Sequence, residues 1–357
     1  MKKILCLIES IGPSGAERQI SNLAVLLNKQ GYEVEVAYYV KKEFFLPFLE
    51  ENGVKGVYIA GATKPRKRFF SLWKYIKRKR PDTIISYSTA PSMITCALKA
   101  LGADFKLIVS ERNTTQQLNR IARIKFFLYK YADFIVPNSY SQGEFIHEHY
   151  PRLSSKIRVI TNYLETSKFT PAPNKHISNE CINLICVGRM APQKNIINFI
   201  NAVAILKKKG LNFRVDWYGQ DFQNMYSKEC YDLVRNSDVG DVMYFHPQTS
   251  KIAEIYQTAD IFCLPSLWEG YPNVLCEAMS CGLPVVSSGV SDVPRIMEDG
   301  VNGFIFDPRS IYDMVEKIEK ILTLPVEERY KMASRSREIA ISKFRTDTFV
   351  RNYIELI

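Results

Sequence analysis

Short apolar segments alternate with helical segments along the whole chain, and this alternation limits the possible folds more than any other feature of the sequence. In the first half, strands are predicted at residues 4–8, 33–39, 83–86, 105–110, 134–137 and 157–160, with a helix at 15–30. In the second half, strands are predicted at 182–187, 213–218, 261–264 and 284–287, with helices at 195–208, 252–258 and 273–281. Such alternation produces parallel sheets joined by crossover helices. The sequence therefore predicts an α/β protein with two Rossmann-like domains that face each other across a central cleft.

A proline-rich polar segment separates the two halves. It reads Pro-Ala-Pro-Asn-Lys at residues 171–175 and has the composition of a linker. The chain has 357 residues, of which 46% are hydrophobic, enough for two domains with cores of their own. We therefore predict an N-terminal domain at residues 1–170 and a second domain that begins at residue 171.

The cysteines and the amino terminus indicate a cytosolic protein. The eight cysteines form no Cys-x-x-Cys pair and no cluster with zinc spacing, so reduced thiols are expected. No apolar run approaches the ~20 residues that cross a bilayer. The basic start Met1-Lys2-Lys3 leads into a short apolar run that ends at Glu9, which predicts a first strand rather than a signal peptide.

The segment 265–279 places two carboxylates beside a helix start. Its sequence is Pro-Ser-Leu-Trp-Glu-Gly-Tyr-Pro-Asn-Val-Leu-Cys-Glu-Ala-Met. It follows a buried strand, and Pro272 suits the first position of the next helix. Free amides at a helix start attract phosphates. Glu269 and Glu277 could then bind hydroxyls on either side of a diphosphate, the shape of a nucleotide-sugar. Otherwise Glu269 is a loop residue and Glu277 a charge on the helix surface.

This segment resembles the signature of the family 4 glycosyltransferases, which are retaining enzymes of the GT-B fold. In that signature seven residues separate two glutamates, as they do Glu269 and Glu277, and a turn of small residues follows, here at 280–286. The match continues at residues 299–303. The resemblance implies that Glu269 faces the donor sugar and that Glu277 binds the ribose. It also implies that the second domain ends at residue 345 and that a last helix, at 346–357, crosses back onto the first domain.

A second loop, residues 188–195, carries two cations. Arg189 and Lys194 lie five residues apart and can converge on one anion. The departing nucleoside diphosphate gains negative charge as the glycosidic bond breaks, so fixed cations stabilise the transition state more than the ground state. The resemblance implies this role for both residues, and with Glu269 they form the predicted catalytic set. The alternative is a pair of solvated loop charges.

Further matches to the family predict binding residues in both domains. On the donor side these are Gly15, Gly188, Gly219, His246, Gly270, Asn273, Val274, Leu275 and Glu277, with a surface histidine as the alternative for His246. On the acceptor side they are Glu17, Glu111, Arg112 and Asn138.

Two positions depart from the family pattern. Ser14 stands where relatives usually have glycine. Arg112 stands at a position comparable to that of a histidine that contacts the donor sugar in many relatives. Arg112 is expected either to orient Glu111 or to contact an acceptor phosphate.

The net excess of positive charge lies entirely in the first half. Residues 1–171 contain 27 Lys and Arg against 14 Asp and Glu, whereas the remainder contains 21 against 23. Much of the excess falls in residues 64–80, where apolar positions recur at helical spacing. This pattern predicts a helix that binds an anionic membrane surface, and residues 120–131 could extend that surface. The alternative is a core-packed helix with a solvated basic face. The predicted membrane-binding residues are Arg66, Lys67, Arg68, Phe69, Phe70, Trp73, Lys77, Arg78, Lys79 and Arg80.

The sequence contains no Asp-x-Asp pair, which transferases of another fold use to hold a divalent metal. We therefore expect no metal and no other cofactor. The main interpretation is a retaining glycosyltransferase that moves a hexose or N-acetylhexosamine from a nucleotide-sugar, expected to be a UDP-sugar, to a hydroxyl of a lipid-linked glycan. We expect it at the cytosolic face of a membrane, with no nucleic acid partner. The alternatives are a basic non-enzymatic protein that binds membranes or nucleic acid, and a GT-B nucleotide-sugar epimerase.

Overall fold

The computed structural model describes residues 1–61, 64–173 and 181–357, with the backbone alone for residues 65 and 66. Its contacts divide the chain into two compact units. The first contains Met1–Asn162 and Asp347–Ile357, and the second contains Tyr163–Thr346. The sequence-based boundaries, at 170/171 and 345/346, remain predictions. Residues 174 and 175 of the predicted linker lie outside the described residues.

Strands and helices alternate in the first unit and form one parallel sheet. The strands are β1 (Lys3–Leu7), β2 (Glu33–Tyr38), β3 (Lys55–Tyr58), β4 (Thr83–Tyr87), β5 (Lys106–Glu111) and β6 (Phe134–Pro137). The helices are α1 (Gly15–Lys29), α2 (Leu46–Glu51), α3 (Pro65–Lys79), α4 (Thr89–Ala100), α5 (Arg120–Leu128) and α6 (Tyr140–His149), with 3-10 turns at Tyr129–Tyr131 and Pro151–Lys156. The strand order is β3-β2-β1-β4-β5-β6, which is the Rossmann order.

The second unit repeats this winding. Its strands are β7 (Ile182–Val187), β8 (Phe213–Tyr218), β9 (Met243–His246), β10 (Ile261–Leu264), β11 (Val285–Ser288) and β12 (Gly303–Phe306). Its helices are α7 (Ile196–Lys208), α8 (Met225–Asn236), α9 (Ile252–Thr258), α10 (Asn273–Ser280), α11 (Val293–Ile296), α12 (Ile311–Leu322) and α13 (Val326–Lys343), with a 3-10 turn at Pro192–Lys194. The order β12-β11-β10-β7-β8-β9 is parallel throughout, so two Rossmann-like units are confirmed. The last helix, α14 (Thr346–Ile354), joins the first unit from Asp347 onward.

The prediction of a strand at residues 157–160 is wrong. Only an isolated bridge forms there, between Ile135 and Ile157, although Arg158 N and Ile160 N donate to the carbonyls of Ile135 and Pro137. Between these two bonds a parallel ladder needs the amide of residue 137 to donate to Arg158, and proline has no N–H. The ladder therefore stops. The sequence reading also missed the edge strands β3, β9 and β12, which have four residues each.

Helices α3, α4 and α5 pack on one face of the first sheet. Leu72 and Ile76 of α3, Leu98 of α4 and Phe126 of α5 belong to one buried cluster, with Leu5, Leu7, Ile84, Leu107 and Val109 of the strands beneath them. Alternate residues of a strand point to the same face, so these strand residues define that face. Among the described residues, no helix is long and apolar enough to cross a membrane.

Candidate active site

The strand order of the second unit reverses between β7 and β10, and the loops after these two strands form the candidate site. Switch points of this kind open a crevice at the carboxyl ends of parallel strands. The two loops are cross-linked, since Leu267 N donates to Gln193 O at 2.8 Å and Gln193 Nε2 donates to Trp268 O at 2.8 Å. The loop of Arg189 and Lys194 is therefore fixed against the loop of Glu269.

Two glycines let the backbones approach at this point. A Cβ on Gly219 would lie 1.9 Å from Gly188 O, so no other residue fits at position 219 without backbone movement. A Cβ on Gly188 would lie 2.8 Å from Lys194 Cε. The absence of a side chain at 188 thus makes room for the lysine, and its absence at 219 makes room for the backbone of Gly188.

Lys194 and Glu269 form a buried ion pair. Lys194 Nζ donates to Glu269 Oε1 at 2.6 Å, and the two side chains are 10% and 9% exposed. The residues are 75 positions apart, and the sequence predicted them from separate loops without predicting their contact. Because each charge compensates the other, the pair keeps an ammonium and a carboxylate fixed in a largely dry position.

Arg189 differs from Lys194. It is exposed, and its nearest described contact is a guanidinium nitrogen 3.5 Å from Gln193 Oε1. The two predicted cations are therefore not equivalent, because one is buried and bound to a carboxylate whereas the other extends from the same loop into solvent.

Helix α10 begins beside this pair. Pro272 is the N-cap rather than the first helical residue, and the helix begins at Asn273. Leu275 N donates to Pro272 O at 3.0 Å, so this amide already has an acceptor. The amide of Val274 has no acceptor among the described residues. Gly270 O accepts a hydrogen bond from Ser291 Oγ at 2.8 Å.

Glu277 faces the interior. Its residue is 3% exposed, and Tyr256 OH donates to Glu277 Oε2 at 3.4 Å. The alternative of a charge on the helix surface is therefore wrong. A buried carboxylate four residues into a helix, beside a crevice, has oxygens that can accept hydrogen bonds from ligand hydroxyls.

His246 is held in place at the end of β9. Its Nε2 lies 2.6 Å from Asp216 Oδ1, and its ring stacks on Tyr218 with centroids 4.4 Å apart. Arg214 also binds Asp216, through two hydrogen bonds of 2.9 and 2.8 Å. Burial raises the pKa of Tyr218, so its phenol stays neutral beside this cluster. His246 thus has a fixed orientation, unlike an isolated surface histidine.

In the first unit, Glu111 lies at the carboxyl end of β5 and is fully buried in a polar network. Lys125 Nζ donates to it at 2.5 Å, and Gln142 Nε2 donates at 3.4 Å. Tyr129 OH also donates to it, and burial raises the pKa of Tyr129 well above its usual value, so the phenol keeps its proton. This network anchors α5 and the turn after it to the end of β5.

Arg112 does not orient Glu111, so that hypothesis is wrong. Its guanidinium donates to Asn162 Oδ1 at 2.8 Å, to Tyr353 OH at 2.8 Å and to Tyr87 OH, and it lies over the Tyr87 ring at 4.1 Å. Sequence reasoning missed these partners because no local spacing links residues so far apart. Asn138 Nδ2 donates to Arg112 O at 3.5 Å.

The start of α1 holds the other predicted residues of the first unit. Gly15 is the first helical residue and is exposed. Glu17 accepts hydrogen bonds from Ser10 Oγ at 3.1 Å and from the hydroxyl of Ser14, the N-cap residue. The serine that departs from the family pattern therefore donates its hydroxyl to the Glu17 side chain and makes no side-chain bond to a backbone amide of the helix start.

Helix α3 has two separate faces. Leu72 and Ile76, two of the apolar positions that recur at helical spacing in residues 64–80, are buried in the core, so the core-packed alternative is correct for them. Phe70 and Trp73 are exposed, whereas Phe69 is half-buried against the core.

The basic side chains of this region fall into two groups, some exposed to solvent and others in contact with the rest of the unit. The described basic residues in solvent are Lys64, Lys67, Lys74, Lys77, Arg78 and Arg80. In contrast, Lys79 pairs with Glu35 at 2.6 Å and Arg68 lies over the Tyr39 ring at 4.4 Å. The side chain of Arg66 lies outside the described residues. An exposed surface with two aromatic and several basic residues remains.

Comparisons with known proteins agree with this fold. The family model "Glycosyl transferases group 1" matches residues 171–339, and the model "Glycosyltransferase Family 4" matches residues 13–168. An uncharacterised glycosyltransferase of Haemophilus influenzae is 27% identical over 350 residues, which cover 94% of this chain and 95% of the relative.

Two further proteins resemble the chain over most of its length. A Campylobacter jejuni α-1,4-N-acetyl-D-galactosaminyltransferase, named for an acceptor on undecaprenyl diphosphate, is 25% identical and covers 90% of this chain and 89% of the relative. The crystal structure of Anabaena HepE with UDP-glucose superimposes with a TM-score of 0.86 and 19% identity over 99% of each chain.

The two family models together account for most of the chain, and the fold is that of GT-B enzymes. The chain belongs to the family 4 glycosyltransferases.

Proposed function

We propose that the enzyme is a retaining glycosyltransferase that takes a hexose or N-acetylhexosamine from a UDP-sugar and transfers it to a hydroxyl of a lipid-linked glycan. The buried Lys194–Glu269 pair beside the start of α10 carries the proposal. The nucleotide of HepE and the undecaprenyl-linked acceptor of the Campylobacter relative support the choice of donor and acceptor class.

In the proposed mechanism, the side chains of the second unit bind the donor from end to end. Glu277 accepts hydrogen bonds from the ribose, and the Val274 amide donates to a phosphate oxygen. Lys194 and Arg189 neutralise the diphosphate as it departs. Glu269 positions the hydroxyls of the sugar and holds Lys194 in place.

The proposed chemistry conserves the configuration at the anomeric carbon. The bond from C1 to the diphosphate oxygen breaks while a bond from C1 to the acceptor oxygen forms on the same face. The acceptor hydroxyl transfers its proton to the departing phosphate, so no protein nucleophile is required. Fixed cations favour this course because they stabilise the charge that develops on the leaving group.

A nucleotide panel tests the proposal. We expect UDP to raise the midpoint of thermal unfolding, and transfer to a lipid-diphosphate-sugar acceptor to release UDP from one UDP-sugar. Glu269→Gln should lose most of this transfer, whereas Lys251→Met, at an exposed lysine of the same unit, should keep it. Stabilisation by short DNA alone, or unchanged transfer by Glu269→Gln, would contradict the proposal.

We propose further that transfer needs no divalent metal, because side-chain cations and the amide at the start of α10 bind the diphosphate. Excess chelator should leave the initial rate within about twofold of the untreated enzyme, because the charge stabilisation comes from the chain itself. The measurement is UDP release before and after chelation, with a metal-dependent transferase as the positive control. A loss of activity that magnesium or manganese restores would overturn this proposal.

We also propose that the exposed basic face of α3 brings the enzyme to the cytosolic face of an anionic membrane. Each Lys or Arg near such a surface contributes about 1 kcal/mol. Lys74→Glu/Lys77→Glu/Arg78→Glu should therefore weaken binding to phosphatidylglycerol-containing vesicles at least tenfold. Lys208→Glu/Lys228→Glu/Lys251→Glu makes the same charge change at exposed residues of the second unit and should bind like the wild type. Equal binding by both triple variants would refute the membrane role of α3.

A further inference from the structure

Helix α5 presents an apolar ridge to solvent. Ile121, Ile124 and Phe127 are 61%, 44% and 62% exposed and recur at every third position, so they lie along one side of the helix. We call these three side chains the α5 ridge. Single exposed apolar residues are ordinary, but three in a row on one short helix form a surface that an occupant would cover.

The ridge is fixed in this orientation by the opposite side of the helix. Ala122, Lys125 and Phe126 are buried, and Phe126 packs on Tyr150 with ring centroids 4.5 Å apart. Lys125 reaches inward to Glu111, which fixes the rotation of the helix about its axis. The ridge therefore cannot turn inward without breaking a buried ion pair.

The charged residues of the segment that carries the ridge have one sign. Residues 119–131 contain Arg120, Arg123, Lys125 and Lys130 and no Asp or Glu. Arg120, Arg123 and Lys130 are exposed, and Lys130 Nζ lies 4.0 Å from the centre of the Phe127 ring. Apolar side chains flanked only by cations are typical of helices that lie in the headgroup region of anionic bilayers.

We propose that the α5 ridge inserts into the bilayer interface and that α3 supplies mainly electrostatic attraction. The proposal rests on the proposed membrane-bound function and assigns separate tasks to the two helices. Both pack on the same face of the first sheet, where α3 exposes Trp73 and Phe70 beside its cations. Screening by salt weakens attraction between charges but not apolar insertion, so the two tasks can be separated by ionic strength.

The experiment measures vesicle binding at low and high salt. Vesicles of phosphatidylethanolamine and phosphatidylglycerol are compared with vesicles of phosphatidylcholine alone. Ile121→Ser/Ile124→Ser/Phe127→Ser should lose the salt-resistant part of binding, roughly tenfold or more, since each buried apolar side chain contributes to insertion. The α3 triple variant should lose the salt-sensitive part instead. Tyr312→Ser/Ile341→Ser removes exposed apolar side chains from the second unit and is the matched control.

A second measurement locates the inserted side chain while Ile121 and Phe127 of the ridge stay in place. An environment-sensitive dye on Ile124→Cys, in a Cys181→Ser background that removes the exposed cysteine, should shift to the blue with anionic vesicles. The same dye on Ile341→Cys should not shift. The inference is overturned if the ridge variant keeps its vesicle binding at high salt. It is also overturned if the dye at position 124 shows no blue shift while the protein binds vesicles. A concentration-dependent dimer that the ridge variant abolishes overturns it too, because the occupant is then a second copy of the chain.

The outcomes separate this inference from the proposed function. Absence of all vesicle binding, with UDP-dependent stabilisation intact, refutes both membrane proposals and leaves transfer standing. Binding that depends on α3 alone refutes only the role of the ridge. The ridge variant should keep the UDP-induced thermal shift of the wild type, since its changes lie outside the donor-binding unit.

Discussion

Lys194→Met is expected to lower the turnover rate of transfer roughly 100-fold, a loss of about 3 kcal/mol of transition-state stabilisation. Lys194 is a buried cation of the loop after β7, and its Nζ lies 2.6 Å from Glu269 Oε1. A buried charge acts on a departing diphosphate with less screening than a solvated one. Steady-state kinetics of UDP release measures the effect, and Arg189→Met should lose less because Arg189 is exposed.

The control for this prediction separates catalysis from folding. Removing Lys194 leaves Glu269 buried without its partner, which by itself destabilises the second unit. Lys194→Met/Glu269→Gln removes both charges and should recover thermal stability without recovering transfer. A single Lys194→Met variant that keeps wild-type turnover would show that the lysine has no catalytic role.

Glu111→Gln is expected to lower the free energy of unfolding of the first unit by about 3–5 kcal/mol, the range for breaking a buried ion pair on one side. The Lys125 ammonium, whose side chain is 8% exposed, would remain inside the unit without a compensating charge. Tyr129 and Gln142 would also lose a charged acceptor. The urea concentration at the midpoint of unfolding of the first unit measures the effect.

Two control variants test whether the loss of stability comes from the unpaired buried charge. Glu111→Gln/Lys125→Met removes both charges and should recover most of the stability. Glu328→Gln breaks the exposed pair with Lys331 and should change stability by less than about 1 kcal/mol. If Glu111→Gln proves as mild as Glu328→Gln, the network does not anchor α5.

Local pattern determined most of the fold. Segments such as β7, β8 and β10 are short apolar runs, and their predicted bounds agree with the structure. Alternation of such runs with helices leaves parallel sheets as the compact solution. The edge strands β3 and β9 were missed because each is mostly half-buried and has a charged or polar residue at one end, unlike the fully apolar and buried β10. The edge strand β12 begins with a glycine and was also missed. The strand predicted after β6 failed because of one missing proline N–H.

For the site, the sequence determined the residue types and tertiary structure decided their partners. The spacing of Glu269 and Glu277 and the two cations after β7 identified the family and the side chains that we propose to bind a diphosphate. Only the folded sheet decided that Lys194 binds Glu269, that Arg112 binds Tyr353 rather than Glu111, and that the apolar face of α3 points inward. The reason is physical, since periodicity reports which residues prefer burial whereas contacts between distant residues depend on which strands become neighbours.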